Sequence, residues 1–164
     1  MKIFILSFGR LKTSGLRDAA DYYLRLSRPW VTLEEIEIKP LPVAEKSPAS
    51  RRLIQDEEAR RLLSEITNKL PEKAPFFLID ERGRALNSRQ WSELMDDWER
   101  SGLKAVGLCL GSSLGFSASL KEKAKAVLSL GPQTMPHELA RVVLMEQIYR
   151  AAAILKGHPY HNEG

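Results

Sequence analysis

All three histidines of the chain lie near its C-terminus, at His137, His158 and His161. An imidazole can accept or donate a proton near neutral pH, which makes each one a candidate for general acid–base catalysis. No second cysteine and no tight pair of ligands accompanies them, so the sequence predicts no metal site. His137 falls at the start of the predicted last helix, where it could equally be a helix-start residue that bonds a nearby carbonyl.

Charged residues recur along the predicted last helix. Glu146 and Arg150 are spaced i,i+4, which is typical of an ion pair that stabilises an exposed helix face. Arg141, further back on the same helix, is compatible with a solvated position. Taken alone, this pattern does not distinguish a functional role from a structural one.

The segment after Gly157 has an unusual composition for a chain terminus. Gly157 is predicted to end the last helix, and His158-Pro159-Tyr160-His161 follows it. Proline fixes the backbone, and its neighbours are aromatic or titratable, as a recognition or proton-transfer element requires. The alternative is an ordered terminus that packs its tyrosine.

Three predicted strands position further candidates, because each ends in a loop of unusual residues. Strand 76–79 runs into 80–83, strand 105–110 into 111–115, and strand 126–130 into 131–136. Ligands of open parallel sheets bind beyond the carboxyl ends of the strands, so we expect these loops to form one site. The 111–115 loop lacks the Lys-Ser or Lys-Thr pair of a P-loop and the GxGxxG spacing of a dinucleotide site. It therefore favours an uncharged or zwitterionic adenosine ligand over a triphosphate.

Strand and helix patterns alternate along the whole chain. Helices are predicted after each strand, with starts indicated at Ser47-Pro48, at Asn87 with Gln90, and at Ser117. The phase shift within strand 31–38 indicates a bulge or an edge position. The Pro-rich stretch 39–48 is predicted to be a long surface loop. The order predicts an α/β fold, with a mostly parallel sheet and helices on both faces.

Composition places the chain among ordinary globular proteins. Its 164 residues are 43% hydrophobic and 28% charged, which predicts one domain over residues 1–164 and excludes a disordered or fibrous chain. The single cysteine, Cys109, excludes an internal disulfide. No apolar run is long enough for a membrane span or a signal peptide, so we expect a cytoplasmic protein. The net charge of +4 is compatible with an anionic partner.

The C-terminal segment, with the opening strand and the length of the chain, resembles one family. The motifs are Met135-Pro136-His137, Arg141-Val142, residues 146–151, and Pro159-Tyr160-His161. They resemble the bacterial 23S rRNA pseudouridine N3-methyltransferases, the RlmH family of the SPOUT superfamily. The resemblance covers essentially the whole chain and is most specific near the C-terminus.

The resemblance implies a fold, an assembly and a cofactor. The fold would contain a C-terminal trefoil knot, which general topology rules would not suggest, and the protein would be a homodimer. The knot region would bind S-adenosylmethionine. Carried over residue by residue, the cofactor contacts would be Ile79, Gly111, Leu130, Gly131, Pro132, Gln133, Thr134 and Met135.

The resemblance also implies a reaction, the methylation of N3 of a pseudouridine in 23S rRNA within the ribosome. The N3 proton must leave, so a base or a group that stabilises the anion is required. The candidates implied for catalysis are His137, Glu146, Arg150, Tyr160 and His161. Those implied for RNA contact are Arg141, Arg150 and His158.

The chain departs from the family pattern after the fourth strand. The family usually has two glycines there, whereas here the second is Ser112, and Leu114 replaces a more polar or acidic residue. Two alternative functions therefore stay open. One is a non-catalytic RNA-binding or ribosome-assembly protein on a SPOUT scaffold, and the other is a SPOUT methyltransferase that acts on tRNA.

Overall fold

The computed structural model describes residues 1–42 and 47–162. Within them, strands and helices alternate from β1 to α5. Their bounds are β1 Lys2–Phe8, α1 Ser14–Ser27, β2 Thr32–Ile38, α2 Pro48–Lys69, β3 Phe76–Ala85, α3 Ser88–Arg100, β4 Ala105–Leu110, α4 Ala118–Lys123, β5 Ala126–Ser129 and α5 His137–Leu155.

The strands form one five-stranded sheet in the order β2-β1-β4-β3-β5, and every neighbouring pair is parallel. The predicted α/β class is confirmed, and β2 occupies the edge position that its phase shift indicated. The trefoil knot stays a prediction. No helix of the described residues is both long and apolar enough to cross a membrane.

Alternating side chains of the buried strands face two separate cores. Ile3 and Ile5 of β1 belong to the core that α1, α3 and α5 cover. Phe4 and Leu6 belong to the other core, which α2 and α4 cover. The period of two in a strand produces this division, and it places helices on both faces as predicted.

The predicted helix starts are confirmed by capping contacts. The Ser47 side chain accepts a hydrogen bond from the Ser50 N–H, and the Ser117 side chain accepts one from the Leu120 N–H. Asn87 and Gln90 form the predicted capping box. Of the predicted loop 39–48, residues 43–46 lie outside the described residues.

β3 is longer than the predicted strand 76–79. It continues through Asp80 to Ala85, with a shift of its register against β5 between Ile79 and Arg84. The Asp80 Oδ1 accepts the Arg82 N–H at 2.9 Å inside this irregularity. The extension carries polar residues, so the hydrophobic pattern that marks a buried strand is missing there.

Gly83 allows the extension of β3 to approach β5. A Cβ built on Gly83 would lie 2.7 Å from the carbonyl carbon and oxygen of Leu128. Because these are backbone atoms of a paired strand, they cannot move aside without disturbing the sheet.

We therefore expect Gly83→Ala to lower the free energy of unfolding by about 2 kcal/mol, as overpacking of a tight site does. Urea denaturation measures the change. Gly15→Ala is the matched control, because a Cβ at Gly15 meets nothing within 4 Å. Equal stabilities for the two variants would contradict the close packing of β3 on β5.

Candidate active site

One cavity of about 490 Å³ lies at the carboxyl ends of β4, β3 and β5. These strands are neighbours in the sheet, so the loops that follow them meet at one place. The volume lies in the range of about 300–1,000 Å³ that is typical of small-molecule sites. The convergence of loops that the sequence predicted is therefore present.

Most residues to which the resemblance assigns cofactor contacts line this cavity. Pro132 is the exception, since it is exposed and does not line the cavity. His137, predicted as a catalytic candidate, lies on the wall. The lining residues among the predicted cofactor contacts are Ile79, Gly111, Leu130, Gly131, Gln133, Thr134 and Met135.

Gly111 lines the cavity, where the sequence predicts that a side chain would occupy ligand space. A Cβ built there would also lie 3.1 Å from the Phe116 ring, in the same connection between β4 and α4. A larger residue at position 111 would therefore act first on the shape of the loop. Gly115 and Gly131 have φ of +72° and +131°, which only glycine adopts without strain.

Ser129 shapes the loop after β5, and sequence reasoning missed it. Its hydroxyl donates to the Gly131 carbonyl at 2.7 Å and accepts the Gly131 N–H at 3.0 Å. The Thr134 hydroxyl donates to the Glu81 carboxylate at 2.6 Å, which fastens the loop to the extension of β3. Serine and glycine two residues apart is the one sequence signal that could have indicated such a turn.

Helix α2 also supports the cavity, and no prediction included it. Gln55 lines the cavity, and its side-chain amide donates to the Leu114 carbonyl at 2.6 Å. The Ser112 hydroxyl donates to the Glu58 carboxylate at 2.8 Å. Burial raises the pKa of Glu58, and the hydrogen bond from Ser112 opposes this shift. These residues are more than fifty positions from the loop they contact, so sequence spacing gave no signal.

A second group of predicted residues lies on the other half of α5. Arg150 is hydrogen-bonded through Nε to the Glu146 carboxylate at 2.9 Å, and its Nη2 also contacts that carboxylate. The Tyr160 hydroxyl donates at 3.1 Å to Glu146 Oε1, the oxygen that also accepts from Arg150 Nε. His161 Nδ1 lies 3.4 Å from Arg150 Nη1. Four of the five predicted catalytic residues are thus in contact, and we call them the tail cluster: Glu146, Arg150, Tyr160 and His161.

Aromatic contacts hold the tail against the body of the chain. The Tyr160 ring lies edge-on to Tyr149, with centroids 4.6 Å apart, and His158 lies edge-on to Trp30 at 5.1 Å. Burial raises the pKa of Tyr160, and hydrogen bonding to Tyr23 and the charge of Glu146 raise it further. The phenol therefore keeps its proton at neutral pH.

Within one chain, the tail cluster and the cavity do not meet. His137 on the cavity wall is at the first residue of α5. Glu146 follows about nine residues later, which corresponds to about 13 Å along the helix axis and about half a turn around it. A reaction that uses both groups therefore needs a second chain or a large movement of the tail.

Comparisons with known proteins agree with this geometry. A family model described as a predicted SPOUT methyltransferase matches residues 1–161. The chain belongs to the SPOUT methyltransferase family. It is 38% identical over 164 residues to a ribosomal RNA large subunit methyltransferase H of Agrobacterium fabrum, covering 98% of this chain and 99% of the relative. It is 37% identical to the protein of the same name from Streptococcus gordonii, with the same coverage. The resemblance read from the C-terminal motifs is confirmed.

Solved structures of other methylase family proteins share the fold. A probable methylase family protein from Haemophilus influenzae aligns with a TM-score of 0.57 over 94% of this chain and 66% of that protein, at 12% identity. A putative methylase family protein from Neisseria gonorrhoeae aligns with a TM-score of 0.52 over 99% of this chain and 86% of that one, also at 12% identity.

In this SPOUT family member, Arg141 does not occupy the RNA-facing position that was predicted. Its side chain is fully buried and contacts Glu35 at 2.6 Å and Glu37 at 3.0 Å. Its Nη1 also donates to the Gly9 carbonyl at 3.3 Å. A guanidinium so enclosed has no free face for a phosphate. The prediction is therefore corrected, and Arg141 is a structural residue.

Glu138 fastens the same end of α5. Its carboxylate accepts the N–H groups of Lys12 and Thr13 and the Thr13 hydroxyl. These hydrogen bonds lower the pKa of Glu138 to about 2. Together with Arg141, Glu138 holds the first turns of α5 against β1, β2 and the start of α1. The loop 130–136 ends at this fixed point.

Among the described residues, no group of three or more histidine, cysteine, aspartate or glutamate side chains could hold a metal ion. Cys109 is fully buried in β4, and burial raises the pKa of its thiol.

We expect Arg141→Ala to lower the free energy of unfolding by about 3 kcal/mol, because it empties a buried site and removes an ion-pair partner from Glu37 and from Glu35, although Glu35 keeps Arg17. Urea denaturation measures the loss. Arg100→Ala is the control, since Arg100 pairs with Asp96 on the exposed surface, and it should change stability by less than about 0.5 kcal/mol. Unchanged stability of Arg141→Ala together with weakened RNA binding would restore the original prediction.

Proposed function

We propose that this protein transfers a methyl group from S-adenosylmethionine to N3 of a pseudouridine in 23S rRNA. One observation carries the proposal. The cavity at the strand ends gathers seven of the eight residues to which the resemblance assigns the cofactor, in a chain whose relatives are named ribosomal RNA large subunit methyltransferase H.

The residues of the cavity suit this cofactor. Three glycines are among the lining residues, and they allow an adenine or a ribose to approach backbone amide and carbonyl groups closely. The Asp80 and Glu81 carboxylates also line it, and they favour a ligand that carries positive charge. Lys121 lies 3.9 Å from Asp80 and can pair with a carboxylate of the ligand. S-adenosylmethionine has an adenosine, cationic groups and a carboxylate, so these residues support the proposed cofactor.

When bound, S-adenosylmethionine supplies a methyl group already activated by its sulfonium. The main task of the protein is then positioning. The loops after β4 and β5 would hold the cofactor, with Ile79 and Leu130 providing apolar contact at the bottom of the cavity. His137, at the N-terminus of α5, would lie beside the target base.

The tail cluster would handle the target base and its proton. Hydrogen bonding to Glu146 raises the pKa of Arg150, so Arg150 stays cationic, and Tyr160 stays a phenol. Both are donors at neutral pH, and they are suited to stabilise negative charge as N3 loses its proton. The proton acceptor is then His137, Glu146 or His161. Arg150 and His158 can in addition contact RNA phosphate, as the resemblance implies.

The proposal includes a homodimer in which each site is shared. In one chain the tail cluster lies on the opposite side of α5 from the cavity, and a two-fold partner could bring its own tail to the cavity. Val142, Val143 and Leu144 give the sequence of α5 more apolar residues than one buried face needs, so they are candidates for the dimer contact. Val142 and Leu144 are in the core of their own chain, whereas Val143 is partly exposed and Leu139 is 38% exposed. We propose these two as part of the contact. A ribosomal substrate places the protein in the cytoplasm.

The proposed activity is tested with purified protein and labelled S-adenosylmethionine. We expect label to enter 23S rRNA when whole ribosomes are supplied, and little to enter naked rRNA or tRNA. Labelled tRNA would favour the tRNA-directed alternative. Cofactor binding below detection by calorimetry would favour the non-catalytic alternative.

The shared site is tested by complementation between two inactive variants. Gly111→Val should distort the cavity loop, and Tyr160→Phe combined with His161→Ala should impair the tail without changing the melting temperature. Each homodimer should be inactive, because both of its sites lack one half. Each mixed dimer has one intact site of two, so an equimolar mixture in which half of the dimers are mixed should regain up to about a quarter of the activity.

Sedimentation provides the control for assembly. A monomer at micromolar concentration, or a mixture that stays inactive although mixed dimers form, would contradict a site built from two chains.

A further inference from the structure

Two side chains of α2 contact the loop 111–115, which lines the cavity. Gln55 and Glu58 are three residues apart, so they lie on one face of the helix. Gln55 donates to the Leu114 carbonyl, and Glu58 accepts the Ser112 hydroxyl. The loop 111–115 is thus attached to α2 at two points.

Ser112 connects these two contacts. Its hydroxyl donates to Glu58 and also accepts the Leu114 N–H at 3.3 Å. Its carbonyl accepts the Gly115 N–H at 3.1 Å, which closes the turn. The Leu114 carbonyl is therefore bonded by Gln55 of α2, and the Leu114 N–H is bonded by Ser112, which Glu58 of α2 contacts. A glycine at position 112 would offer no hydroxyl for this network.

The Glu58 carboxylate is buried. It is only 4% exposed, although a buried carboxylate is costly unless hydrogen bonds compensate for it. It lines neither the cavity nor the tail cluster, so the proposed mechanism does not use it. Glu57, its neighbour, instead pairs with Arg60 and Arg61 at the protein surface.

We propose that Glu58 and Gln55 are positioning residues for the methyl donor, which hold the 111–115 loop in its binding shape through Ser112 and Leu114. This inference rests on the proposed function, since it assigns the cavity to S-adenosylmethionine. Because the loop forms one wall of the cavity, a loop released from α2 would sample other shapes and bind the cofactor less often.

Calorimetry of cofactor binding tests the network with Glu58→Ala, Ser112→Ala and the double variant. Each single variant should weaken binding by about tenfold, which corresponds to about 1.4 kcal/mol for one hydrogen bond to a carboxylate. The double variant should bind no more weakly than the weaker single variant, because both remove the same contact. Glu58→Gln keeps an acceptor for the hydroxyl and should stay within about twofold of the unmodified protein.

Glu57→Ala is the matched control on the same helix, and it should leave the affinity unchanged. Melting temperatures separate global destabilisation from the local effect, and Ser112→Ala remains informative if Glu58→Ala folds poorly. Additive losses in the double variant, or unchanged affinities in both single variants, would overturn the proposal.

Hydrogen exchange of the Leu114 and Gly115 amides gives a readout without cofactor. We expect faster exchange in Glu58→Ala and Ser112→Ala than in the unmodified protein and in Glu57→Ala. Unchanged exchange would show that α2 does not hold the loop. Faster exchange in a protein that binds no S-adenosylmethionine would leave the loop contact standing and overturn both the cofactor role of the pair and the proposed function.

Discussion

The buried ion pairs of Arg141 fix the element on which both halves of the site depend. Arg141 joins α5 to Glu35 and Glu37 of β2 and to the Gly9 carbonyl after β1. Breaking a buried ion pair by separating its partners is costly, so these contacts oppose displacement of the helix. The loop 130–136 connects the end of β5 to the start of α5. The tail cluster is built on the same helix about two turns further on.

This geometry underlies the proposal that one chain presents two incomplete sites. The cavity has the size, the glycine-containing loops and the acidic groups that the proposed cofactor requires, and His137 is the one predicted catalytic residue that lines it. The tail cluster has an acid, a cation, a phenol and an imidazole in contact, and it lies outside that cavity. Because α5 separates the two groups, the proposed function joins them through a partner chain. In the proposed homodimer, the length of α5 would decide which chain completes which site.

Sequence reasoning succeeded where a local pattern carries the information. β4 has the predicted bounds because its apolar run is continuous, and the capping box at Asn87 is a short-range signal. Sequence reasoning failed where contacts between distant segments of the chain determine the role of a residue. A charged residue such as Arg141 has the same helical spacing whether it is solvated or enclosed, and only the distant Glu35 and Glu37 distinguish the two cases. Likewise, the contact of Glu58 with Ser112 joins segments far apart in the chain.

Mass spectrometry of 23S rRNA tests the central claim most directly. The rRNA is compared between cells that contain this protein and cells from which its gene is deleted. The account predicts one N3-methylated pseudouridine that disappears on deletion, returns with the unmodified protein, and does not return with His161→Ala combined with Tyr160→Phe. An identical set of modified nucleosides in both kinds of cell would contradict it.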